Sequence, residues 1–564
     1  MKCPNCGTEN ASGVNFCVSC GSQLPIEAVN TCPSCGTQNS PEVAFCVNCG
    51  MPLANGQQNN APTKKSFDLN AIKEKVLPIV KNKFVLLGAG AVVLVIILIS
   101  VISAIIGSDN GYIEVENAST YYESDGKIYI SSGNKLLKTT IPGKVARFET
   151  SIDGKYFCIK NDEKDLYIVN GSKVQKVAGD VAQVEMSVTG KGLLYTTASE
   201  DNDEGETELF HYVLGKKSVS VADGNIAGYA ISPDGKTATY TLADDDNEKT
   251  PLYFFDGKKS TKIASSKLSL RGMSNGGKYI YVAQTNDEGE TTLYSYNKKG
   301  DKTKLGRIGG YAVYFNADHT QALFCYDGKT YISEKGKEVD GCAKNKELSL
   351  VMTQNSYLRD ETYPVDSFYD HVYYSGDDVW FIRKNSDKSV KLVSKAYDLQ
   401  LDSTASYLYY VYDSEKLRMI KISDGENASE KAITIVNEMV STYVVTSDRD
   451  FVYYVYDKEL YSVNGKNGKN VKKISNDEID YDFESEYYDY KYHKLYISGN
   501  DTVFYSIDGD LYASSNGKKG TKVLSDGKLG GSLNGYVFAT SEDETIWWVT
   551  NSKKFKKIIT IEEE

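Results

Sequence analysis

The sequence predicts an all-β protein: a β-propeller-like repeat region of about eleven ~42-residue units, preceded by two small zinc ribbons and one transmembrane helix. Three observations predict it. From residue 112 onward, short β-rich runs alternate with turns of Asp, Gly, Asn and Lys, without a helical period. NDEGETELFHY at 202–212 returns as NDEGETTLYSY at 286–296, 84 residues later, with DDNEKTPLYFF at 245–255 midway, so the period is near 42. Eight of the 11 Cys precede residue 50 while all 43 Tyr follow residue 111, so two differently built parts share one chain.

The cysteines come first. Cys3, Cys6, Cys17 and Cys20 follow C-x2-C-x10-C-x2-C, and Cys32, Cys35, Cys46 and Cys49 repeat that spacing 29 residues later, defining segments 1–24 and 29–53. Each C-x-x-C pair directs two sulfurs at one ion, and four thiolates suit the tetrahedral, soft-ligand preference of Zn²⁺, which predicts two structural ions. Iron in a rubredoxin-like site is the alternative metal. Four thiolates close the coordination shell, which leaves no position for water or substrate. The quoted segments KCPNCGTENASGVNFCVSCGSQL and TCPSCGTQNSPEVAFCVNCGMPL resemble the bacterial double zinc-ribbon family, and the resemblance implies short ribbons at the cytosolic end of a membrane protein. Residues 1–53 contain Lys2 as their one basic residue against Glu9, Glu27 and Glu42, so the ribbons are expected to dock a cytosolic protein and not nucleic acid.

Residues 54–83 form a polar, then basic, linker. Residues 84–106, FVLLGAGAVVLVIILISVISAII, are 23 residues without a charge. As a helix they would span ~34 Å against a hydrocarbon core of ~30 Å, which predicts a single membrane crossing. Lys73, Lys75, Lys81 and Lys83 precede this run with only Glu74 opposing them, so the N-terminus is expected in the cytosol and residues 112–564 outside. Cysteine usage agrees: eight lie on the predicted reducing side, and Cys158, Cys325 and Cys342 form no disulfide framework and are expected to be buried free thiols, with one pair plus a single thiol as the alternative. The net charge of −12, with 57 basic and 71 acidic residues from 107 onward, argues against a nucleic-acid partner.

Within 112–564 a turn-then-strand signature recurs at Ile128, Leu166, Leu209, Leu252, Leu293, Thr330, Val379, Leu417, Leu460, Leu511 and Ile546. Three visible strands and one less marked strand per unit is the content of a propeller blade, a small sheet that buries both faces against its neighbours. Eleven units exceed a common ring, so either two rings share them, with the long 330–379 interval as junction, or one ring carries extra hairpins. ISPDGKTATYTLADDDNEKTPLYFFDGKKSTKIA at 231–264 resembles the WD-like repeats of Tol-type periplasmic proteins and prolyl-oligopeptidase propellers. That turn, Ser232 to Gly235, decays elsewhere to SIDGK, SVTGK or SNGGK.

No catalytic residue emerges. GMSNG at 272–276 has the form of a hydrolase elbow, but MSNGG aligns with ISPDG, which makes Ser274 a blade-turn residue. His211, His319, His371 and His493 lack the spacing of a triad or zinc site and are expected on the surface or in strands. Acidic loops at 200–206, 244–248 and 287–290, one period apart, are expected on one rim, solvated or holding Ca²⁺. DEIDYDFESEYYDYKY at 477–492 interleaves carboxylates with aromatic rings, a surface suited to sugars or cations, or a polar loop beside an edge strand. The expected function is a membrane-anchored binding, sensing or scaffold protein of the bacterial cell envelope, not an enzyme, whose propeller takes an external ligand or protein. The alternative is an envelope hydrolase acting on glycan or peptide through propeller carboxylates.

Overall fold

The computed structural model describes residues 30–31, 38–39 and 111–560, except 116–118, 199–206, 244–248, 310–311, 338–346, 354–357, 360, 385–388, 485–490, 542 and 544. Two compact units are present, Met1–Ser100 and Val101–Glu564. In the first, Asn30–Thr31 pairs antiparallel with Gln38–Asn39, flanking the Cys32 and Cys35 positions. The eight paired cysteines, the linker 54–83 and the apolar run 84–106 lie outside the described residues. Among the described residues, no helix is long and apolar enough to cross a membrane.

The second unit is an eleven-bladed β-propeller. Its blades occupy 119–142, 145–178, 181–224, 226–264, 269–308, 313–334, 349–393, 396–436, 442–473, 496–524 and 527–560, in chain order. Among the described residues the sixth blade has three strands and the others four, and each is antiparallel and built from one continuous segment. The repeat landmarks share a structural position. Those of blades 2 to 11 fall on the third strand and Ile128 on the second described strand of blade 1. Ten of them have no accessible surface, and Ile546 in the last blade is half-buried.

Immediately after the landmark, the pairing of third and fourth strands skips a residue in blades 2, 3, 4, 5, 7, 8 and 10, and one residue later in blade 11. Such a bulge increases the right-handed twist, which turns each outer strand away from the ring axis. At the hairpin that precedes the landmark strand, Asp125-Gly126 between the first two described strands of blade 1 and Asp508-Gly509 between the second and third of blade 10 take positive φ, at 51° and 62° and at 50° and 75°. These left-handed pairs match the strand twist of a two-residue hairpin.

Successive blades are sealed by apolar clusters and by tyrosines. Ile130, Ile141, Phe157 and Val169 join blades 1 and 2, and comparable clusters follow around the ring to Phe504, Leu511, Leu529 and Val537 between blades 10 and 11. The Tyr-rich composition belongs to these seams, because a phenol adds apolar area yet must place its hydroxyl. Tyr409 of blade 8 donates to Gly465 O of blade 9 at 2.8 Å, and Tyr453 of blade 9 accepts Gly517 N–H of blade 10 at 2.8 Å. The ring closes without exchanging strands: Trp547 of blade 11 meets the Tyr122 ring of blade 1 edge-on at 5.3 Å, and Lys556 Nζ donates to Asn134 O.

One cycle of eleven blades therefore replaces the two-ring alternative, and the extra hairpin, Tyr481–Glu484 with Lys491–His493, lies between blades 9 and 10 in sequence. The long interval is not a ring junction. Its 361–369 portion packs inside the ring with residues 111–115: Ile113 N–H donates to Pro364 O, Tyr363 N–H donates to Phe315 O at 2.8 Å, and Tyr112, Val365 and Phe368 are buried.

Candidate functional site

The turn joining the first and second strands of each blade explains the Ser-Pro-Asp-Gly signature. Ser232 Oγ accepts Thr237 N–H at 3.0 Å and donates to Asp234 at 2.8 Å, so one buried hydroxyl pins both sides of the turn. Gly235, at φ +73°, backs onto Gly192 of blade 3; a Cβ on either would fall within about 2.5 Å of the other's backbone. Ser151, Ser187 and Ser274 repeat the role of Ser232, and Asn316, Asp402 and Thr446 carry it with other side-chain oxygens. Ser274 is thus buried in a blade turn, as its alignment with Ser232 predicts, ahead of a short 3-10 turn, Asn275–Gly277. Neighbouring turns also bond to one another: Thr189 N–H to Pro233 O, Asp234 N–H to Asn275 Oδ1, Ser403 Oγ to Ser447 O, and Ser447 to Asp501. They hold the inner strands at fixed spacing around the middle.

Inside the arc of blades 2 to 6 lies a cavity of about 670 Å³, with Arg359, Glu361 and Thr362 on its remaining side. Glu149 is its anchor. Arg147 Nη2 lies 2.9 Å from Glu149 Oε1, Arg359 Nη2 lies 3.3 Å from Oε2, and Met186 N–H donates to Oε2 at 2.8 Å. Arg359 also donates to Met186 O, and both Arg359 and Glu149 are buried. Three segments far apart in the chain, at 149, 186 and 359, thereby meet around one ion pair. Such a pair gives position more surely than net stability, because taking two charges out of water offsets much of their attraction.

Around this anchor stand Arg271, Glu185, Glu361, Tyr229 and His319. Glu185 Oε1 accepts Ile231 N–H at 3.2 Å. Burial, reinforced by the charges of Glu185 and Glu149, pushes the Tyr229 phenol well above its ordinary value, so it is a donor at neutral pH. His319 stacks on Phe315 with ring centroids 4.7 Å apart. Its Nδ1 lies 3.1 Å from Met273 O, which only an N–H satisfies, so Nε2 accepts the Thr362 hydroxyl at 2.9 Å. Burial pushes its pKa down to about 4, which keeps the ring neutral. The cavity offers fixed charges of both signs and neutral donors, an arrangement for holding a polar, ionic group.

Sequence reasoning missed Arg147, Glu149, Arg271 and Arg359. The available signal was the rarity of arginine: the chain has seven among its 64 basic residues, and three of them line this cavity. A planar, always charged fork is the side chain for fixed recognition geometry. The histidine expectation holds for His211 and His371, which are strand residues in Thr207–Val213 and His371–Ser375; both are buried and bonded to Gly235 O and Tyr369 O. His319 is neither strand nor surface. Cys158 is a fully buried free thiol and Cys325 a half-buried one, both pushed up chiefly by burial, while Cys342 lies outside the described residues.

In sequence the acidic stretches fall between the second and third strands of blades 3, 4 and 5. Those at 200–206 and 244–248 lie outside the described residues, and in the third Glu290 pairs with Arg307 at 2.6 Å. Among the described residues, no group of three or more His, Cys, Asp or Glu is placed to hold a metal ion. Of the 477–492 stretch, Asp480 accepts the Asp508 and Gly509 N–H groups at 2.8 and 2.9 Å, a structural cap on blade 10. The side chains of 481–493 lie outside the described residues.

Comparison with known proteins bears chiefly on the first unit. The family model described as Double zinc ribbon matches residues 3–50, which places a zinc-binding ribbon domain at the N-terminus. No curated protein matches the chain. Among solved structures, the chain is similar to a eukaryotic initiation factor, at 12% identity and a TM-score of 0.36, covering 64% of this chain and 96% of that one. It is also similar to TolB from Acinetobacter baumannii, at 13% identity and a TM-score of 0.26, over 42% of this chain and 65% of that one. TolB from Agrobacterium tumefaciens is similar at 18% identity and a TM-score of 0.25, over 38% of this chain and 83% of that one. Likenesses of this level bear on no feature of the cavity.

Proposed function

We propose that the protein is a membrane-anchored binding protein of the cell envelope: cytosolic zinc ribbons, one crossing at 84–106, and an external propeller that holds a small ionic ligand without transforming it. The observation that carries the binding role is the cavity ringed by blades 2 to 6, where Arg147, Arg271 and Arg359 face Glu185, Glu361 and Tyr229. Arginine forks favour a carboxylate or phosphate group, and the neighbouring acids favour a ligand that also carries a donor or a cation. Cys3, Cys6, Cys17 and Cys20 would hold one Zn²⁺, and Cys32, Cys35, Cys46 and Cys49 a second, both in closed thiolate shells suited to docking a cytosolic protein.

The test uses the full chain in detergent micelles. Amino acids, short peptides, sugar acids and phosphate esters are screened by shift in melting temperature and then by calorimetry, with product analysis on every hit. Saturable binding that Arg271→Gln weakens at least tenfold, with no turnover, is the expected result. Turnover of any hit would move the protein to the hydrolase class, and binding indifferent to Arg271→Gln would displace the cavity as the site. Orientation is tested separately: external protease on intact cells should remove the propeller and spare the ribbons.

A further inference from the structure

We propose that the groove between blades 7 and 8 recognises a lysine side chain presented by a basic partner protein. The groove has a volume of about 470 Å³ and is distinct in lining from the ionic cavity. Its floor is apolar: Leu350, Val351 and Ala396 are buried, with Met352 and Leu399 beside them. Two large aromatic side chains, Tyr374 and Tyr397, line it while 41% and 46% exposed. In a protein whose other tyrosines so often close seams between blades, two rings left open on one groove are a surface and not a packing element.

The groove contains one carboxylate, that of Asp398. The first strand of blade 8 skips register between Tyr397 and Gln400, and Asp398 stands within that bulge at φ +48°. Bulges re-aim side chains, and this one takes Asp398 out of the ladder pattern. Its carboxyl is reachable by solvent, yet the protein around it pushes its pKa up by burial alone. The two lysines that precede it in the chain are engaged elsewhere: Lys391 pairs with Asp378 at 2.7 Å and Lys395 with Asp413 at 3.0 Å. Among the described residues no cation pairs with Asp398.

An apolar floor, two exposed tyrosine rings and an uncompensated carboxylate are complementary to one group, a primary ammonium on a hydrocarbon stem. The stem covers the floor, the ammonium meets the carboxylate, and the rings attract the cation through their faces. Guanidinium would bring a wider, planar head, and an anionic side chain would face like charge. The excess of 71 acidic over 57 basic residues from 107 onward steers a basic partner toward this unit.

The experiment uses the full chain in detergent micelles and three fluorescein-labelled peptides that differ at one central position: lysine, norleucine or glutamate. Fluorescence polarisation should show saturable binding of the lysine peptide, at least tenfold weaker binding of the norleucine peptide and none of the glutamate peptide. Asp398→Asn should cost the lysine peptide at least tenfold and leave the norleucine peptide unchanged, with an unaltered melting temperature, since Asn tolerates the left-handed backbone. Tyr374→Ala with Tyr397→Ala should weaken both peptides. Equal affinity for lysine and norleucine peptides, undiminished binding by the Asp398→Asn protein, or no saturable binding of the lysine peptide would each overturn the proposal.

Discussion

Arg359 is the place where the ring and its filling are fastened, so its removal is the sharpest test of how the propeller is held. Arg359→Met keeps the aliphatic volume and deletes the charge, losing the 3.3 Å pair with Glu149 and the bond to Met186 O. Removing one partner of a buried ion pair costs about 3–5 kcal/mol when the other is left alone. Here Glu149 retains Arg147 and Met186 N–H, so the expected loss is lower, about 2 kcal/mol. Glu149→Gln should cost more, about 3–4 kcal/mol, because it strands the Arg359 guanidinium in the interior. The double variant should be less damaged than the sum by about 2 kcal/mol, since neither charge is then left unpaired. Urea unfolding of the full chain, followed by the fluorescence of the three tryptophans and by circular dichroism, measures this cycle. Coincident transitions from the two probes are required before free energies are compared. Additivity within about 0.5 kcal/mol would refute the coupling and with it the view that this pair fastens Arg359 to blades 2 and 3.

Other perturbations test separate parts. Trp547→Ala removes the aromatic contact that closes the ring and should cost about 3 kcal/mol while making blades 1 and 11 the first sites of limited proteolysis; cleavage elsewhere first would argue against a seam at that position. Ser232→Ala leaves Thr237 N–H without its acceptor and should destabilise by about 1–2 kcal/mol in the same unfolding assay. His319 is a base held down to about 4, so the folded state resists protonation: its contribution is complete above the unfolded value of about 6.5 and is lost as pH falls toward 4, about 3 kcal/mol in all. His319→Asn, which suits the left-handed backbone at φ +54°, should flatten that part of the pH–stability curve, leaving the slopes of the same sign from His211 and His371, whose pKa values burial also lowers. Cys17→Ser should halve the zinc content of the full chain by metal analysis and leave the propeller transition unmoved.

Much of the propeller was legible because its blades are local. Each is one continuous segment, so the Asp-Gly hairpins, the landmark residue and the ~42-residue period carry the strand order directly. The Ser-Pro-Asp-Gly turn looked unique, yet its geometry recurs wherever a side-chain oxygen can accept the N–H five residues on. Asn316, Asp402 and Thr446 satisfy that condition with no sequence likeness to Ser232. Sequence reports residue identity, whereas the turn selects only for an acceptor of the right reach.

What stayed hidden depends on closure. Eleven first strands surround more space than their own side chains fill, and the 330–379 interval, read as a boundary between rings, supplies part of the filling instead. Nothing in the linear pattern distinguishes a segment that leaves a ring from one that returns into it. The distinction is made by Arg359, which finds Glu149 across 210 positions of chain, and by Phe315, whose backbone pairs with 361–363. The same reasoning applies to Asp398: a charged residue at the start of a strand reads as solvated until the bulge and the engagement of Lys391 and Lys395 with other acids are seen. Both features arise because the repeat fixes the blades and leaves the inner strands free to diverge. In this propeller the ionic cavity and the Asp398 groove are both shaped by departures from the repeat.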